Sequence, residues 1–205
     1  MRKKLLWIIL AFFVVIILIF FIKNNYKKNI FGNNESNKSV NELESYILGV
    51  NSYEATLEIT VNSNKNSNKY LLKQIYNSKE KIDVQKVIRP ENIEGIEIIN
   101  RDGNIEINNS KLNLNQIYSN YPYLSNNVLW LNSFIEDYKN NRESSKVYEE
   151  AEYVVMEINK GTNNYFHKRK LYLEKAAGMP KKMVIQDNNK KDTIYISYKE
   201  IIINK

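Results

Sequence analysis

Hydrophobic and polar residues alternate strictly over residues 53–61, which read YEATLEITV. The apolar side of this segment consists of Tyr53, Ala55, Leu57, Ile59 and Val61. Successive side chains of a β-strand point to opposite faces, so a period of two predicts a strand with one buried and one solvated face. Such a strand is typical of an antiparallel sheet.

The same period of two recurs along the rest of the chain, interrupted by turn signals. We predict further strands over residues 69–76, 82–89, 95–100, 104–108, 147–158, 165–174, 181–186, 193–198 and 200–203. Asp102-Gly103 is a strong hairpin-turn signal between the strands 95–100 and 104–108. Pro90 ends the strand over residues 82–89. A run of roughly nine to eleven sequential antiparallel strands is expected to curl into a barrel or half-barrel, because flat sheets of that width are rare.

Two segments follow the helical period instead. The first is residues 40–48, where Val40, Leu43, Ile47 and Leu48 share one face. The second is residues 125–141, where Val128, Leu131, Ile135 and Tyr138 share a face and Trp130 and Phe134 lie on an adjoining stripe. The prediction is a mainly β (α+β) fold with one helix before the strands and another in the middle.

The N-terminal region has a different character, because residues 5–22 are eighteen consecutive apolar residues. A helix of that length spans roughly 27 Å, close to the ~30 Å hydrocarbon core of a bilayer. A cleaved signal peptide has a shorter apolar region followed by small residues, which this segment lacks. We therefore predict a transmembrane signal-anchor over residues 1–22, a flexible linker over 23–40 and an extracytoplasmic domain over 41–205.

The chain has a net charge of +7, and the excess basic residues lie on either side of this apolar segment and not in the domain. Six of the 30 basic residues lie within the first 28 positions, and residues 29–205 hold 24 basic against 23 acidic side chains. The charge therefore gives no support to a nucleic-acid partner. Three basic residues stand on each side of the apolar run, so the positive-inside rule gives a tie. Because large following domains translocate largely regardless of charge, we expect a cytoplasmic N-terminus and a domain outside the cell membrane.

The composition leaves little material for catalysis. The chain has no cysteine and a single histidine, His167, which excludes thiolate metal sites, cysteine nucleophiles and histidine clusters. Glu149, Glu150 and Glu152 would suggest paired carboxylates for glycoside hydrolysis, but on a strand the latter two share one face and are expected to be solvated. We predict that the protein is not an enzyme and has no catalytic residue, metal ligand or cofactor.

Three tyrosines, Tyr118, Tyr121 and Tyr123, surround Pro122 ahead of the second helix. Exposed aromatic side chains mark interaction surfaces, so this cluster is one candidate recognition loop. Packing of the same rings beneath the following helix is the alternative, and the sequence leaves both open.

Several segments occur in a characteristic order. They are the strand 53–61, KYLLKQIY at 69–76, RPENIEG at 89–95, LNSFIEDY at 131–138, and the end from 171 to 204 with Gly178-Met179-Pro180 and Asp187. This order resembles the LolA-like lipoprotein-carrier family and, within it, the GerS-type spore germination lipoproteins of clostridia. Those lipoproteins carry a lipidated Cys where this chain has its apolar run, so the mode of anchoring differs.

The resemblance implies an N-terminal anchor followed by a curved antiparallel half-barrel sheet with helices across its concave face. In the carriers the cavity holds lipid acyl chains, whereas the GerS-type domain acts through a protein partner, a cell-wall amidase of the spore cortex. The residues we expect at the cavity or facing a partner are Leu57, Ile59, Tyr70, Leu72, Tyr76, Trp130 and Phe134. Ordinary core packing is the simpler role for each of them, because apolar stripes usually just pack.

Two functions are compatible with this resemblance, and a third class, an enzyme, would require a convergent polar cluster in the folded cavity that the sequence does not show. The first is a non-enzymatic, membrane-tethered partner or activator in spore-cortex or cell-wall processing, placed in the cell membrane or the forespore and mother-cell envelope. The second is binding, carriage or sensing of a lipid or another apolar ligand in the half-barrel cavity. A permanent tether argues against a shuttle, because a carrier must leave the membrane from which it loads.

Overall fold

The computed structural model describes residues 39–109, 111–119, 127–159 and 166–204. Two α-helices are described, α1 (Val40–Leu48) and α2 (Leu131–Asn140), with short 3-10 helices at Glu91–Ile93 and Arg142–Ser144. The strands are β1 (Ser52–Asn62), β2 (Ser67–Asn77), β3 (Ile82–Arg89), β4 (Glu97–Arg101), β5 (Asn104–Asn109), β6 (Leu114–Tyr118), β7 (Ser145–Glu150), β8 (Tyr153–Asn159), β9 (Lys168–Glu174), β10 (Met179–Gln186) and β11 (Asp192–Asn204).

The chain enters the sheet at its centre with β1, runs outwards to one edge in a first meander, and returns from the opposite edge to the centre in a second. All the described strands belong to one sheet with the order β6-β5-β4-β3-β2-β1-β11-β10-β9-β8-β7, and every neighbouring pair is antiparallel. The first meander ends at β6, α2 intervenes, and the second meander returns from β7 to pair β11 with β1. The predicted mainly β fold, with a large open antiparallel sheet and few helices, is confirmed.

Helix α1 forms over the residues that the helical period predicted. Ser39 caps it, because its Oγ accepts a hydrogen bond from the Glu42 N–H at 3.3 Å while Glu42 Oε2 accepts from the Ser39 N–H at 2.7 Å. This reciprocal capping box satisfies two N–H groups that the first turn leaves without helical partners. Leu43 and Ile47 face inwards and are fully buried.

Both helices contribute to the main core, which lies on one face of the sheet, here called the inner face. Helix α2 buries Leu131, Phe134, Ile135 and Tyr138 there, together with Trp130 at its N-cap. The helix is shorter than the predicted segment 125–141. The Asn127 side chain accepts a hydrogen bond from the Leu129 N–H at 3.1 Å, so Val128 lies in a turn before the helix.

The predicted strands differ most from the structure at three places. Residues 147–158 form two strands, β7 and β8, joined at Ala151-Glu152, where Ala151 has φ +51° although no Gly, Asn or Pro signals a turn. Residues 193–203 form one strand, because a bulge opposite Thr56 and Leu57 absorbs Lys199 without ending the pairing. Strand β6, at the edge of the sheet, was not predicted at all.

The predicted membrane segment at residues 5–22 and most of the predicted linker lie outside the described residues. Neither helix within the described ranges has the length and apolar character needed to cross a bilayer. All of the described residues belong to one compact unit.

Candidate functional site

A cavity of about 510 Å³ opens where two hairpin turns meet the first turn of α2. The β2–β3 turn contributes Asn77, Ser78 and Lys81, the β4–β5 turn contributes Asp102 and Gly103, and α2 contributes Asn132 and Glu136. Its inner wall is formed by Tyr76, Asp83 and Asn100. Most of these side chains are polar, in contrast to the apolar core beside them.

Strand register brings the wall residues together. Tyr76 of β2 lies directly opposite Asp83 of β3, and Asp83 lies opposite Asn100 of β4. Directly opposed side chains on one face of an antiparallel pair are about 4.5–5.5 Å apart at Cβ, so the three form a row across the inner face. The row ends at the two turns that form the rim, so it lies along the inner wall of the cavity.

The turns themselves are fixed by local chemistry. In the β2–β3 turn, the side-chain oxygen of Asn77 accepts hydrogen bonds from the N–H groups of Lys79 and Glu80 at 3.1 and 3.2 Å. In the β4–β5 turn, Asp102 and Gly103 have φ angles of +51° and +81°, as the Asp-Gly signal predicted. Two tight turns therefore hold the rim of the cavity in place.

Asp83 is the most unusual residue of this site. It is only 5% exposed, and its Oδ2 accepts a hydrogen bond from Asn100 Nδ2 at 3.0 Å. No donor within the described part of the chain reaches the buried Asp83 Oδ1 or the buried Asn100 Oδ1. Burial raises the pKa of Asp83 to about 6, with the nearby Glu136 carboxylate adding to the rise and the Asn100 hydrogen bond opposing it.

A chain of polar groups connects this cavity to the core. The hydroxyl of the buried Tyr53 accepts a hydrogen bond from the Leu131 N–H at 3.3 Å and lies 3.4 Å from Asn132 Oδ1. It also lies 3.5 Å from the side-chain oxygen of Gln74, whose amide donates to Gln85 at 3.0 Å. Tyr53 thus joins the first turn of α2 to the polar residues of β2 and β3.

The predicted site residues separate into two groups. Leu57, Ile59, Leu72, Trp130 and Phe134 lie within the main core and are at most 4% exposed. Tyr70 and Tyr76 are partly buried and pack against that core. Of these seven residues, Tyr76 alone is among the described residues that line the cavity, with its ring 5.6 Å from the Tyr53 ring. Their contact with a ligand or partner remains a prediction.

The sequence reasoning missed the polar residues of the inner face. Four polar side chains point to the inner face of the sheet, where the residues two positions away on the same strand are mostly apolar, such as Leu72 and Val87. They are Gln74, Asp83, Gln85 and Asn100. A polar residue at an inward position of an alternating strand is therefore the signal that was available. Asn132 lacks even this signal, because a polar residue near a helix start is common.

The other residues singled out from the sequence lie elsewhere. His167 immediately precedes β9 and is half-buried, with its N–H donating to the Gln186 carbonyl at 2.8 Å. Glu150 and Glu152 are exposed, as expected, but Glu152 lies in the β7–β8 turn and not on a shared strand face. Tyr118 lies on edge strand β6, whereas Tyr121 and Tyr123 fall outside the described residues. Among the described ranges, no group of three His, Asp or Glu residues is placed to hold a metal ion.

Comparison with solved structures shows which proteins share this fold. One match is a chain from the structure of the CwlD amidase of Clostridioides difficile in complex with the GerS lipoprotein, with 25% identity and a TM-score of 0.50. The match covers 82% of this chain and 96% of that chain. The predicted resemblance to the GerS-type proteins of the LolA-like family is confirmed.

More distant proteins are also similar in structure. An uncharacterized conserved protein from Thermus thermophilus has 12% identity and a TM-score of 0.52, with 82% of this chain and 89% of that chain covered. A LolA superfamily protein from Nitrosomonas europaea has 8% identity and a TM-score of 0.40, with coverages of 82% and 94%. No curated protein sequence matches the chain.

A family model accounts for nearly the whole chain. It describes sporulation proteins and matches residues 2–205, which includes the apolar segment as well as the sheet. Together with the GerS complex, this match fits an envelope-associated function. The chain belongs to the family of YdcC-like sporulation proteins.

Proposed function

We propose that the protein is a non-enzymatic, membrane-tethered envelope protein that acts through a protein partner in spore-cortex or cell-wall processing. The observation that carries this proposal is the similarity to a chain from the complex of the CwlD amidase with the GerS lipoprotein. The alignment covers 96% of that chain, so the likeness extends over a whole domain rather than a shared motif. A cell-wall amidase is accordingly the partner class we propose.

The state of the inner face supports a partner over a lipid ligand. Acyl chains need an apolar cavity that the protein leaves open, but here Leu57, Ile59 and Phe134 fill the space between sheet and helices and are almost fully buried. The described cavity is lined mainly by amide, hydroxyl and carboxylate groups. Uncompensated contact of such groups with hydrocarbon costs several kcal/mol, about 2–7 per group.

The proposed anchor is residues 5–22, in an uncleaved helix that crosses the membrane once with its N-terminus in the cytoplasm. Support comes from the eighteen apolar residues and from the family match, which includes them. Protease added to intact protoplasts should digest the domain while leaving an N-terminal fragment that still begins with Met-Arg-Lys. Protection of the domain in intact protoplasts, with digestion only after lysis, would contradict this orientation.

The partner role is tested by purifying the full chain from sporulating cells after brief cross-linking. We expect an envelope enzyme to be captured, and lipid extraction of the same sample to give no stoichiometric lipid. Bound lipid at one molecule per chain, with no captured protein, would favour the carrier function instead.

A second test addresses the non-enzymatic part of the proposal. His167→Gln and Glu150→Gln change the polar residues that sequence alone would nominate for chemistry, and both should leave melting temperature and sporulation phenotype nearly unchanged. A polar variant that kept its melting temperature but lost all function would contradict a role carried by surface contacts.

A further inference from the structure

The cavity contains two buried hydrogen-bond acceptors that the fold leaves unused. Asp83 Oδ1 and Asn100 Oδ1 are both shielded from solvent, and within the described residues neither receives a hydrogen bond. Buried polar atoms are almost always paired in folded proteins, and an unpaired carboxylate oxygen is especially costly. Asp83 and Asn100 both belong to the wall of the 510 Å³ cavity, so a rotation of the two side chains toward the cavity would let these oxygens accept hydrogen bonds from a ligand.

The charges around the cavity restrict what that donor can be. Three carboxylates line it, those of Asp83, Asp102 and Glu136, against one ammonium group, that of Lys81. An anion would meet this excess of negative charge, so phosphate or carboxylate ligands are disfavoured. A metal ion is disfavoured too, because no three acidic or histidine side chains in the described ranges are close enough to ligate one.

The geometry points to a binding site for an organic cation, a guanidinium or primary ammonium group, with Asp83 as its buried counter-charge and Asn100 as a second acceptor. Both groups carry only donors, which is what two unused acceptor oxygens require. Charge-assisted hydrogen bonds to a carboxylate are about twice as strong as neutral ones, so Asp83 is the dominant contact. Glu136, on the exposed side of α2, adds attraction at the entrance.

Two sources can supply this chemistry, a free amine and a basic side chain presented by a protein. The site goes beyond the partner role proposed above and does not depend on it. If no partner were captured from cells, binding of a free cation would still stand.

The primary experiment uses the full chain in a nonionic polyoxyethylene detergent, titrated with ethylguanidinium by calorimetry and by NMR of the side-chain amides of Asn100 and Asn132. Ethylurea is the control, because it has nearly the same shape without the charge. We expect saturable binding of ethylguanidinium in the millimolar range and none of ethylurea. Equal binding of both probes, or of neither, would overturn the proposal.

Variants then identify the counter-charge. Asp83→Asn keeps the size of the side chain and should weaken ethylguanidinium binding at least tenfold, roughly the worth of one charge-assisted contact. The matched control is Glu80→Gln, an exposed carboxylate of the β2–β3 turn that is not among the described residues lining the cavity, and for it we expect a change of about twofold or less. If Asp83→Asn failed to fold, Glu136→Gln on the exposed face of α2 should still lower the affinity severalfold. Unchanged affinity in both variants would overturn the assignment.

The acidity of the site gives a further readout. The titratable groups facing Asp83 are Tyr53 on β1, Tyr76 on β2, Glu136 on α2, and Lys81 and Asp102 in the turns. Only the ionised Asp83 can hold a cation, so affinity should fall as the pH is lowered through about 6. Affinity that is constant across this range would contradict a role for Asp83.

The source of the cation is distinguished by comparing ethylguanidinium with a capped Gly-Arg-Gly peptide. Tighter binding of the peptide would indicate a protein side chain, because backbone contacts at the rim would add to the guanidinium contact. Binding of ethylguanidinium that excludes the peptide would indicate a small free amine.

Discussion

Each half of the inner face buries a charged side chain, and the two side chains differ in the number of polar partners that surround them. In the β7–β11 half, Arg169 of β9 is 2% exposed and pairs with the Asp137 carboxylate of α2. Its guanidinium also approaches the Ser133 carbonyl at 3.4 Å and lies 5.5 Å from the centre of the Phe134 ring. In the β1–β6 half, Asp83 is almost as buried but has a partner for only one oxygen.

The position of α2 accounts for this difference. Its buried residues pack into the core with β8 and β9, so Arg169 lies directly beneath side chains that can satisfy it. Only Asn132 and Glu136 of this helix are among the residues that line the cavity. A buried charge with several partners contributes to the architecture, whereas a buried charge with one free oxygen is available to a ligand.

The most severe way to break the helix-covered half is Phe134→Ala. Phe134 is fully buried between α2 and the sheet, so its truncation should cost about 3–5 kcal/mol of unfolding free energy, a large share of a typical ~5–15 kcal/mol. Urea unfolding followed by circular dichroism measures this. The control is Ile117→Ala in the other half, where the side chain is 66% exposed and the cost should stay within about 0.5 kcal/mol. A loss below about 1 kcal/mol for Phe134→Ala would contradict the filled core.

Arg169→Met tests the partnered charge itself. The substitution keeps much of the volume but removes the guanidinium from Asp137, whose side chain is only 16% exposed, and should cost about 3 kcal/mol. Adding Asp137→Asn should recover part of this loss, because the second change removes the carboxylate left behind. Strictly additive effects in this double-mutant cycle would show that the two side chains are not coupled.

The two halves also differ in how much of their structure could be predicted from the sequence. Alternation over 53–61 predicted β1 closely, because its inner face is purely apolar and its outer face purely polar. Trp130 and Phe134 were expected on the covering helix because aromatic residues at helical spacing are typical of a face that packs against a core.

The cavity was beyond such reasoning because it depends on pairing between strands. Asp83 and Asn100 are 17 positions apart in sequence and meet only through the β3–β4 register. The pairing of β1 with β11, which joins the two meanders, is equally non-local, and a period of two contains no information on partner choice. Edge strand β6 was missed because its sequence, LNQIY, is too short and polar to show alternation.

Asp83→Asn tests the unpaired charge, and it should stabilise the fold. The pKa of Asp83 is raised from 3.8 to about 6, so the folded state binds the proton more tightly and stability falls as pH rises through that window. This loss is complete above about pH 7 and amounts to at most about 3 kcal/mol. The Asn variant lacks this loss, because its side chain is uncharged at every pH.

Urea unfolding at about pH 4 and about pH 8 measures this effect. We expect the variant to gain up to about 2 kcal/mol over wild type at the higher pH and little at the lower one. Asp102→Asn, at the exposed rim, should show no such pH-dependent difference. A variant less stable than wild type at both pH values would mean that the Asp83 carboxylate is satisfied in the fold.

The smallest expected effects come from two glycine substitutions, one in the turn at the cavity rim and one at the end of α1. Gly103, in the β4–β5 turn at the cavity rim, has φ +81°, and a Cβ added there meets no atom within 4 Å. Gly103→Ala should therefore cost only the backbone strain of a left-handed conformation, about 1 kcal/mol. Gly49, at the end of α1, has φ −87°, and its added Cβ would lie 3.5 Å from the Ser45 carbonyl oxygen, an ordinary contact. Gly49→Ala should change stability by no more than about 0.5 kcal/mol, with a slight gain expected from a less flexible unfolded chain.

Amide hydrogen exchange locates the effect, because strain in the turn should speed exchange in β4 and β5 while leaving α1 and β8 unchanged. Equal losses for the two variants would show that the rim turn is not held in its left-handed conformation, and the wall of the cavity would then be less rigid than the register of β3 and β4 indicates.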